Sequence, residues 1–289
     1  LRLLPSVCEQ IIIQQTLIFN RSEARTTLNS KFLTPNMLLT FLGTGTSVGV
    51  PTIGCHCKVC TSNDPHDRRM RCSAMVETPQ TRILIDCGPD FREQMLKQDF
   101  RKIDAIFITH SHYDHIGGMD DVRPFCVFGD INVYADPISE KSLRQTFPYC
   151  FADHLYPGVP KINLHKIRPH EETRINELTV VPFTVMHDKL PILGYKIGRL
   201  AYITDMKTIP TEELALLQDI DTLVVNALRF TTPHHSHMLV DEAMRFAHKT
   251  SAKHVFFTHM CHDIGLHDEV NRLLPEDVNL AYDGETMEI

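Results

Sequence analysis

No apolar run in this 289-residue chain reaches the roughly 18 residues that a membrane-spanning helix needs. No membrane span is expected. The chain also lacks a basic surplus: 29 Lys and Arg against 36 Asp and Glu give a formal net charge of −7 and a pI near 6.2. Indiscriminate binding to duplex nucleic acid needs many phosphate-neutralising cations, so it is not expected either. A local basic patch is compatible with this balance, and "DRRMR", Arg68 to Arg71, reads as one, on a solvated face. No internal repeat and no low-complexity linker divides the chain. The first residues have no initiator Met, no clean apolar core and no small-residue cleavage site, so they do not read as a secretory signal. Residues 1–36 are expected to be a non-native or disordered extension; the alternative is an added native helix around Ile11–Phe19. Organised sequence begins at Met37, and residues 37–289 are expected to form the working domain.

What is present is apolar bulk and ligating chemistry. Hydrophobic residues make up 43% of the chain, enough for one large domain or two small ones. Strand-like runs ("MLLTFLG", "TRILIDCG", "IDAIFITH", "LTVVPFTVMH", "LAYITD", "TLVVNAL", "HVFFTH") alternate with helical ones ("DFREQMLKQ", the stretch after "GGMDD", "TEELALLQ", "LVDEAMRFAHK"). Such alternation predicts an α/β layered fold. Strand after strand ends in Asp or His: Asp86, His110, His187, Asp205 and His259. Residues at strand ends converge on one sheet edge. One such residue is an ordinary loop residue; five from separate segments point to a shared site.

The densest segment is "FITHSHYDHIGG", Phe107 to Gly118, with His110, His112, Asp114 and His115 directly after an apolar run. A tight loop leaving a strand can splay these four to two sides, one pair for each of two ions. Imidazole suits zinc and similar ions, and carboxylate admits manganese. A second concentration is "GCHCKVC", with Cys55, Cys57 and Cys60 in the 54–72 loop. Nine cysteines, an odd number, fit metal binding in a reducing cytoplasm better than a disulfide framework. Three thiolates suit a closed tetrahedral zinc that needs one more ligand. His56, His66, Cys261 and His262 are the candidates, with His262 favoured because it lies three residues past His259.

These segments together resemble the metallo-β-lactamase-fold hydrolases. "LTFLGTGTSVGVP" resembles that family's opening, "ILIDCGPD" its next strand and turn, and "THSHYDH" its signature; the resemblance runs from Met37 to the C-terminus. It implies a four-layer αβ/βα sandwich with the site at one edge of the paired sheets. It implies one ion on His110, His112 and His187, a second on Asp114, His115 and His259, and Asp205 bridging them. Asp86 is then an acceptor for a ligating imidazole. The C-x-C-x-x-C loop with a late His resembles the PhnP-type cyclic-phosphate phosphodiesterase branch. That likeness implies a structural zinc on Cys55, Cys57, Cys60 and His262. In the same branch a His before a late helix approaches the substrate, which points to His237 in "HHSHMLVDEA", with His235 as runner-up. Arg123 is either a phosphate clamp or a salt-bridge partner of Asp120 or Asp121.

The expected function is hydrolysis of a small or cyclic phosphodiester, such as a ribosyl cyclic phosphate, by a water shared between two Zn or Mn ions. Asp205 and Asp114 set the ions, and His237 as an imidazolium protonates the leaving oxygen. The alternatives are a tRNA 3′-processing nuclease, a thioesterase, a quinone-cofactor biosynthesis relative, or a non-catalytic zinc-stabilised binding module. A nuclease of that kind would carry a long Gly/Pro-rich basic arm, which is not found. Family likeness also implies a homodimer.

Overall fold

The structure, a computed structural model, describes residues 36–289. The expected extension before Asn36 and the alternative helix around Ile11–Phe19 lie outside the described residues. The chain from β1 (Leu38–Gly43) through β2 (Ser73–Glu77), β3 (Arg82–Ile85), β4 (Ala105–Phe107) and β5 (Ile131–Ala135) to β6 (Ile162–Lys166) builds one sheet. A second sheet follows from β7 (Thr173–Ile175), β8 (Leu178–His187), β9 (Leu190–Ile197), β10 (Leu200–Ile203), β11 (Thr222–Asn226), β12 (His254–Thr258) and β13 (Val278–Leu280). The last strand, β14 (Thr286–Glu288), returns to the first sheet beside β1. The sheets mirror one another. In the first, antiparallel pairing from β14 to β3 gives way to parallel pairing from β3 to β6. In the second, β7 to β10 are antiparallel and β10 to β13 parallel.

Strand sequences explain the layering. β10 and β11 are buried along their whole lengths, as parallel strands covered on both faces must be. Phe41, Phe107, Tyr195, Tyr202, Val224 and Phe256 fill the space between the sheets. A second apolar layer joins the outer face of the second sheet to the helix Val240–Ala247 through Ile203, Val225, Phe257, Ala243 and Phe246. A third does the same for the first sheet, where Leu84 and Ile106 meet Met119, Val122 and Leu143. The four-layer αβ/βα arrangement is as expected.

Helices are short: α1 (Phe91–Met95), α2 (Tyr113–Ile116), α3 (Pro137–Thr146), α4 (Val240–Ala247) and α5 (His267–Asn271). Two stretches expected to be helical, the one after "GGMDD" and "TEELALLQ", fall in the 3₁₀ segments Met119–Phe128 and Thr211–Leu217. In the first, Pro124 sits inside the helix and contributes no N–H.

Candidate metal centre

The expected strand-end residues meet at one edge. His110 follows β4, His187 closes β8, Asp205 follows β10 and His259 follows β12. Asp86, Asp205 and His259 adopt left-handed backbone, with φ of 64°, 55° and 56°. Non-glycine residues seldom sit there, and such strain gathers at functional sites. Each strand thus turns sharply at its end and aims its last polar side chain across the edge.

Two groupings result. His110, His112, His187 and Asp205 each offer a donor atom within 4.8 Å of the others, and so do Asp114, His115, Asp205 and His259. Asp205 belongs to both. Its Oδ1 lies 3.4 Å from His115 Nε2 and 3.2 Å from His259 Nε2, while its Oδ2 lies 3.8 Å from His110 Nε2. Asp114 Oδ2 is 3.1 Å from His115 Nε2 and 3.6 Å from His259 Nε2. Donors held about 2.0–2.2 Å from one tetrahedral ion stand roughly 3.3–3.6 Å apart, so these spacings suit an ion between them. His115 Nε2 and both ring nitrogens of His259 are buried without a hydrogen-bond partner. Unsatisfied buried polar atoms are costly, and a divalent cation satisfies donors that point at one another. The residues fit the metals that their types imply.

Neighbouring groups fix which nitrogens face inward. His187 Nδ1 donates to the Asp205 carbonyl at 2.6 Å, leaving Nε2 for a metal. His115 Nδ1 donates to Asp86 Oδ2 at 2.7 Å. Thr109 donates to the same carboxylate from its backbone N–H (2.8 Å) and hydroxyl (2.9 Å), and its oxygen faces His110 Nδ1 at 3.0 Å. Asp86 therefore steadies one imidazole from each grouping, one directly and one through Thr109. Burial pushes the Asp86 carboxyl up, and His115 draws it back. Burial would also raise Asp205, yet His259 and His115 hold it well below the usual carboxylate range. Burial lowers His110 well below ordinary imidazole, which suits a neutral ligand.

Thr109 was not anticipated, and a signal for it exists. Three of the strand-end residues are preceded by threonine: Thr109–His110, Thr204–Asp205 and Thr258–His259. All three threonines are fully buried. Thr204 donates to Asp205 Oδ1 at 2.6 Å, and Thr258 Oγ1 lies 3.2 Å from the Cys72 thiol beneath the site. A buried threonine at or just past the strand end thus immediately precedes each of these three ligands.

Cys55, Cys57, Cys60 and His262 form a third grouping. His262 Nδ1 stands 3.5 Å from Cys55 Sγ and 3.3 Å from Cys57 Sγ. The Cys60 N–H donates to Cys57 Sγ at 3.4 Å and the Thr52 N–H to Cys60 Sγ at 3.4 Å. The first of these bonds, opposed by burial and helped by His262, brings the Cys57 thiol down to about 6. Burial pushes Cys60 up to about 11. Of the rival fourth ligands, His56 is exposed and Cys261 stands outside this grouping. His66 instead stacks near His267, 4.9 Å between ring centres. His66, His267 and Asp268 also lie close together. There, though, the His267 nitrogens already face Arg69 Nη2 at 3.3 Å and Asn271 Nδ2 at 2.9 Å, so that grouping reads as packing between a loop and α5.

His237 is buried, 4.8 Å from His259 ring to ring, with Nδ1 unpartnered and 3.9 Å from Asp205 Oδ2. Burial, reinforced by His259, holds its imidazole down to about 2. The ring is therefore neutral in the chain alone, and the imidazolium expected from the sequence concerns the ring facing a phosphate. His235 is exposed and stacks on His234 at 4.6 Å. Arg123 is exposed and donates to both Asp120 oxygens at 2.8 Å, the salt-bridge alternative.

Comparison with known proteins agrees with this geometry. Residues 81–260 match the β-lactamase superfamily domain. The crystal structure of a diphosphatase from the PhnP family superposes with a TM-score of 0.81 at 42% identity, over 88% of this chain and 97% of that one. Zinc-bound PqqB from Methylobacterium extorquens shares the fold, with a TM-score of 0.73 at 18% identity over 87% of this chain and 100% of its own. The chain belongs to the β-lactamase superfamily, in the PhnP-type branch of its metallo-β-lactamase-fold hydrolases. Among curated relatives, an octanoyltransferase of Porphyromonas gingivalis is 42% identical over 244 residues, 84% of this chain and 50% of the relative. A ribonuclease Z of Thermosynechococcus vestitus is 30% identical over 169 residues, 56% of this chain and 36% of the relative. The chain thus spans half or less of the length of these two. Among the described residues no helix is long and apolar enough to cross a membrane.

Proposed function

We propose that this chain hydrolyses a small phosphodiester, cyclic or linear, with two divalent ions at the paired groupings and a structural zinc on Cys55, Cys57, Cys60 and His262. The observation that carries the reading is the convergence of seven donor side chains, six of them buried and His112 exposed, on two positions that share Asp205. Bound there, the ions would polarise phosphoryl oxygens and acidify water. The likeness to a PhnP-family diphosphatase over nearly its whole length supports a phosphate centre, and makes a diphosphate ester a second candidate substrate. Octanoyl transfer is not taken over, because the curated relative of that name is only half spanned.

The chain's own residues have defined tasks in this reading. Asp86, Thr109 and the Asp205 carbonyl orient His115, His110 and His187. Asp205 fixes the spacing of the two positions. His237 lies at the rim of the ligand set, near enough to face a leaving oxygen. Cleavage breaks the bond from phosphorus to that oxygen, which must gain a proton, and the negative charge of bound phosphate would raise the His237 ring from its depressed value.

The metal-loaded chain should turn over bis(p-nitrophenyl) phosphate, a ribosyl cyclic phosphate or ADP-ribose, and leave an acyl thioester intact; thioester cleavage without phosphoester cleavage would reverse the reading. His237→Ala should keep its metal content. Its rate should fall by about 10²–10⁴-fold on esters with alkoxide leaving groups, the range for losing a placed general acid. With p-nitrophenolate, which hardly needs a proton, the loss should be much smaller. Equal losses on both would make His237 a phosphate-binding group instead.

A further inference from the structure

A groove of about 410 Å³ lies between the Val48–Pro51 turn and the 65–71 loop, in the segment that reads from sequence as a merely solvated basic patch. Four cations line it, Arg68, Arg69, Arg71 and Lys97, against two carboxylates, Asp90 and Asp283. That excess stands out on a chain of net charge −7. Both carboxylates are engaged. Asp283 accepts the Thr44 N–H at 2.9 Å, the Thr44 hydroxyl at 2.8 Å and the Met70 N–H at 2.6 Å. Asp90 accepts the Arg71 N–H and Nη1, each at 2.8 Å. Arg69 is buried and donates to Thr44 Oγ1 and the Ala281 carbonyl. Arg68 and Lys97 are exposed, and among the described residues neither forms an ion pair. Arg71 holds its Nε buried and without a partner.

The groove abuts the centre. Gly45 bridges to Arg71 on one side and to Met260, the residue after His259, on the other. A Cβ placed on Gly88 would lie 2.1 Å from the Asp114 carbonyl and 3.7 Å from Arg71 Cβ, so Asp114 and Arg71 flank one glycine. A cationic wall thus begins beside the Asp114, His115 and His259 grouping.

We infer that this groove is an anion subsite that receives a second phosphoryl group of the substrate while the scissile phosphate lies at the paired groupings. The inference rests on the phosphoester reading and narrows it: the preferred substrate is a diphosphate ester, not a lone phosphodiester. Arg71, locked by Asp90, presents a fixed guanidinium, and Arg68 and Lys97 supply mobile charge.

The test is R68E/K97E in the full chain with its metals, both residues being exposed and outside the catalytic machinery. The variant should raise KM for ADP-ribose about tenfold, as expected when two exposed charges that each contribute a factor of a few are reversed. The kcat for ADP-ribose and the kinetics on bis(p-nitrophenyl) phosphate should not change. Calorimetry gives a readout apart from turnover. Wild-type protein should bind α,β-methylene-ADP more tightly than AMP, and the variant should lose that preference while keeping its affinity for AMP. Lys97→Met should shift both readouts in the same direction by less. An unchanged preference, or equal effects on both substrates, would overturn the subsite while hydrolysis stands. A preference that depends on Arg68 and Lys97 in a protein that cleaves no phosphoester would keep the subsite and remove the hydrolytic reading.

Discussion

Asp205→Ala is expected to abolish phosphoester turnover, by about 10⁴-fold or more, since losing metal-based charge stabilisation costs several kcal/mol of barrier. The side chain faces both groupings, Oδ1 towards His115 and His259 and Oδ2 towards His110, so its removal affects two ion positions together. The other six donors remain, but the two positions lose their common anion, and His115 and His259 keep only Asp114 between them. The Cys55, Cys57, Cys60 and His262 grouping is made by other side chains. Elemental analysis should therefore show loss of the ions at the paired groupings with one zinc retained, in a protein that still folds. Retention of more than a few per cent of activity would refute the two-ion reading.

Cys57→Ser should have the opposite pattern: one zinc lost per chain, the paired ions retained, and the melting temperature lowered by about 10 °C. That drop follows if the site contributes a few kcal/mol of folding free energy, at roughly 2–4 °C per kcal/mol for a domain of this size. Cys57 is the thiol most prepared to ligate, brought to about 6 by the Cys60 N–H and by His262. Cys60, held up to about 11 by burial, must release a proton when it binds. Zinc affinity of this site should therefore rise with pH from 7 to 9, about tenfold per unit for each proton released. Below about 6, where Cys57 also carries a proton, the fall with acid should steepen. Competition with a chromophoric chelator across this range measures the slope, and a flat profile would show that Cys60 is not a ligand.

Much of the centre could be read from residue types alone, because metal ligation concentrates His, Asp and Cys in patterns that packing does not need. His110, His112, Asp114 and His115 are crowded into six residues, and the strand-end positions of His187, Asp205 and His259 follow from the apolar runs that stop at them. What escaped is what tertiary structure adds. The 3₁₀ geometry of Met119–Phe128 depends on how one proline sits in a loop against the sheet. The helix Pro137–Thr146 is not among the expected helical runs, although Asp136 and Pro137 mark its start: the Asp136 carboxylate accepts from Ser139 N and Ile138 N. The depression of the His237 imidazole comes from burial and from His259, which is not its neighbour in sequence. Arg68 and Arg71 looked like ordinary surface, since nothing local places them beside Lys97 and Gly88.

The division of the ligands between the sheets also sets an order of events as the chain is made. His110 and His112 leave the ribosome more than ninety residues before Asp205, which with His187 completes their grouping, whereas Asp114 and His115 wait further, for His259. Cys55, Cys57 and Cys60 wait longer still, for His262. The two ion positions are thus completed in turn, the first with Asp205 and the second with His259, and since each draws on both sheets, ions cannot template the first sheet alone. Capture of the second ion and of the zinc follows that of the first. A nascent chain arrested between residues 205 and 259 would have one finished metal position and lack the other two.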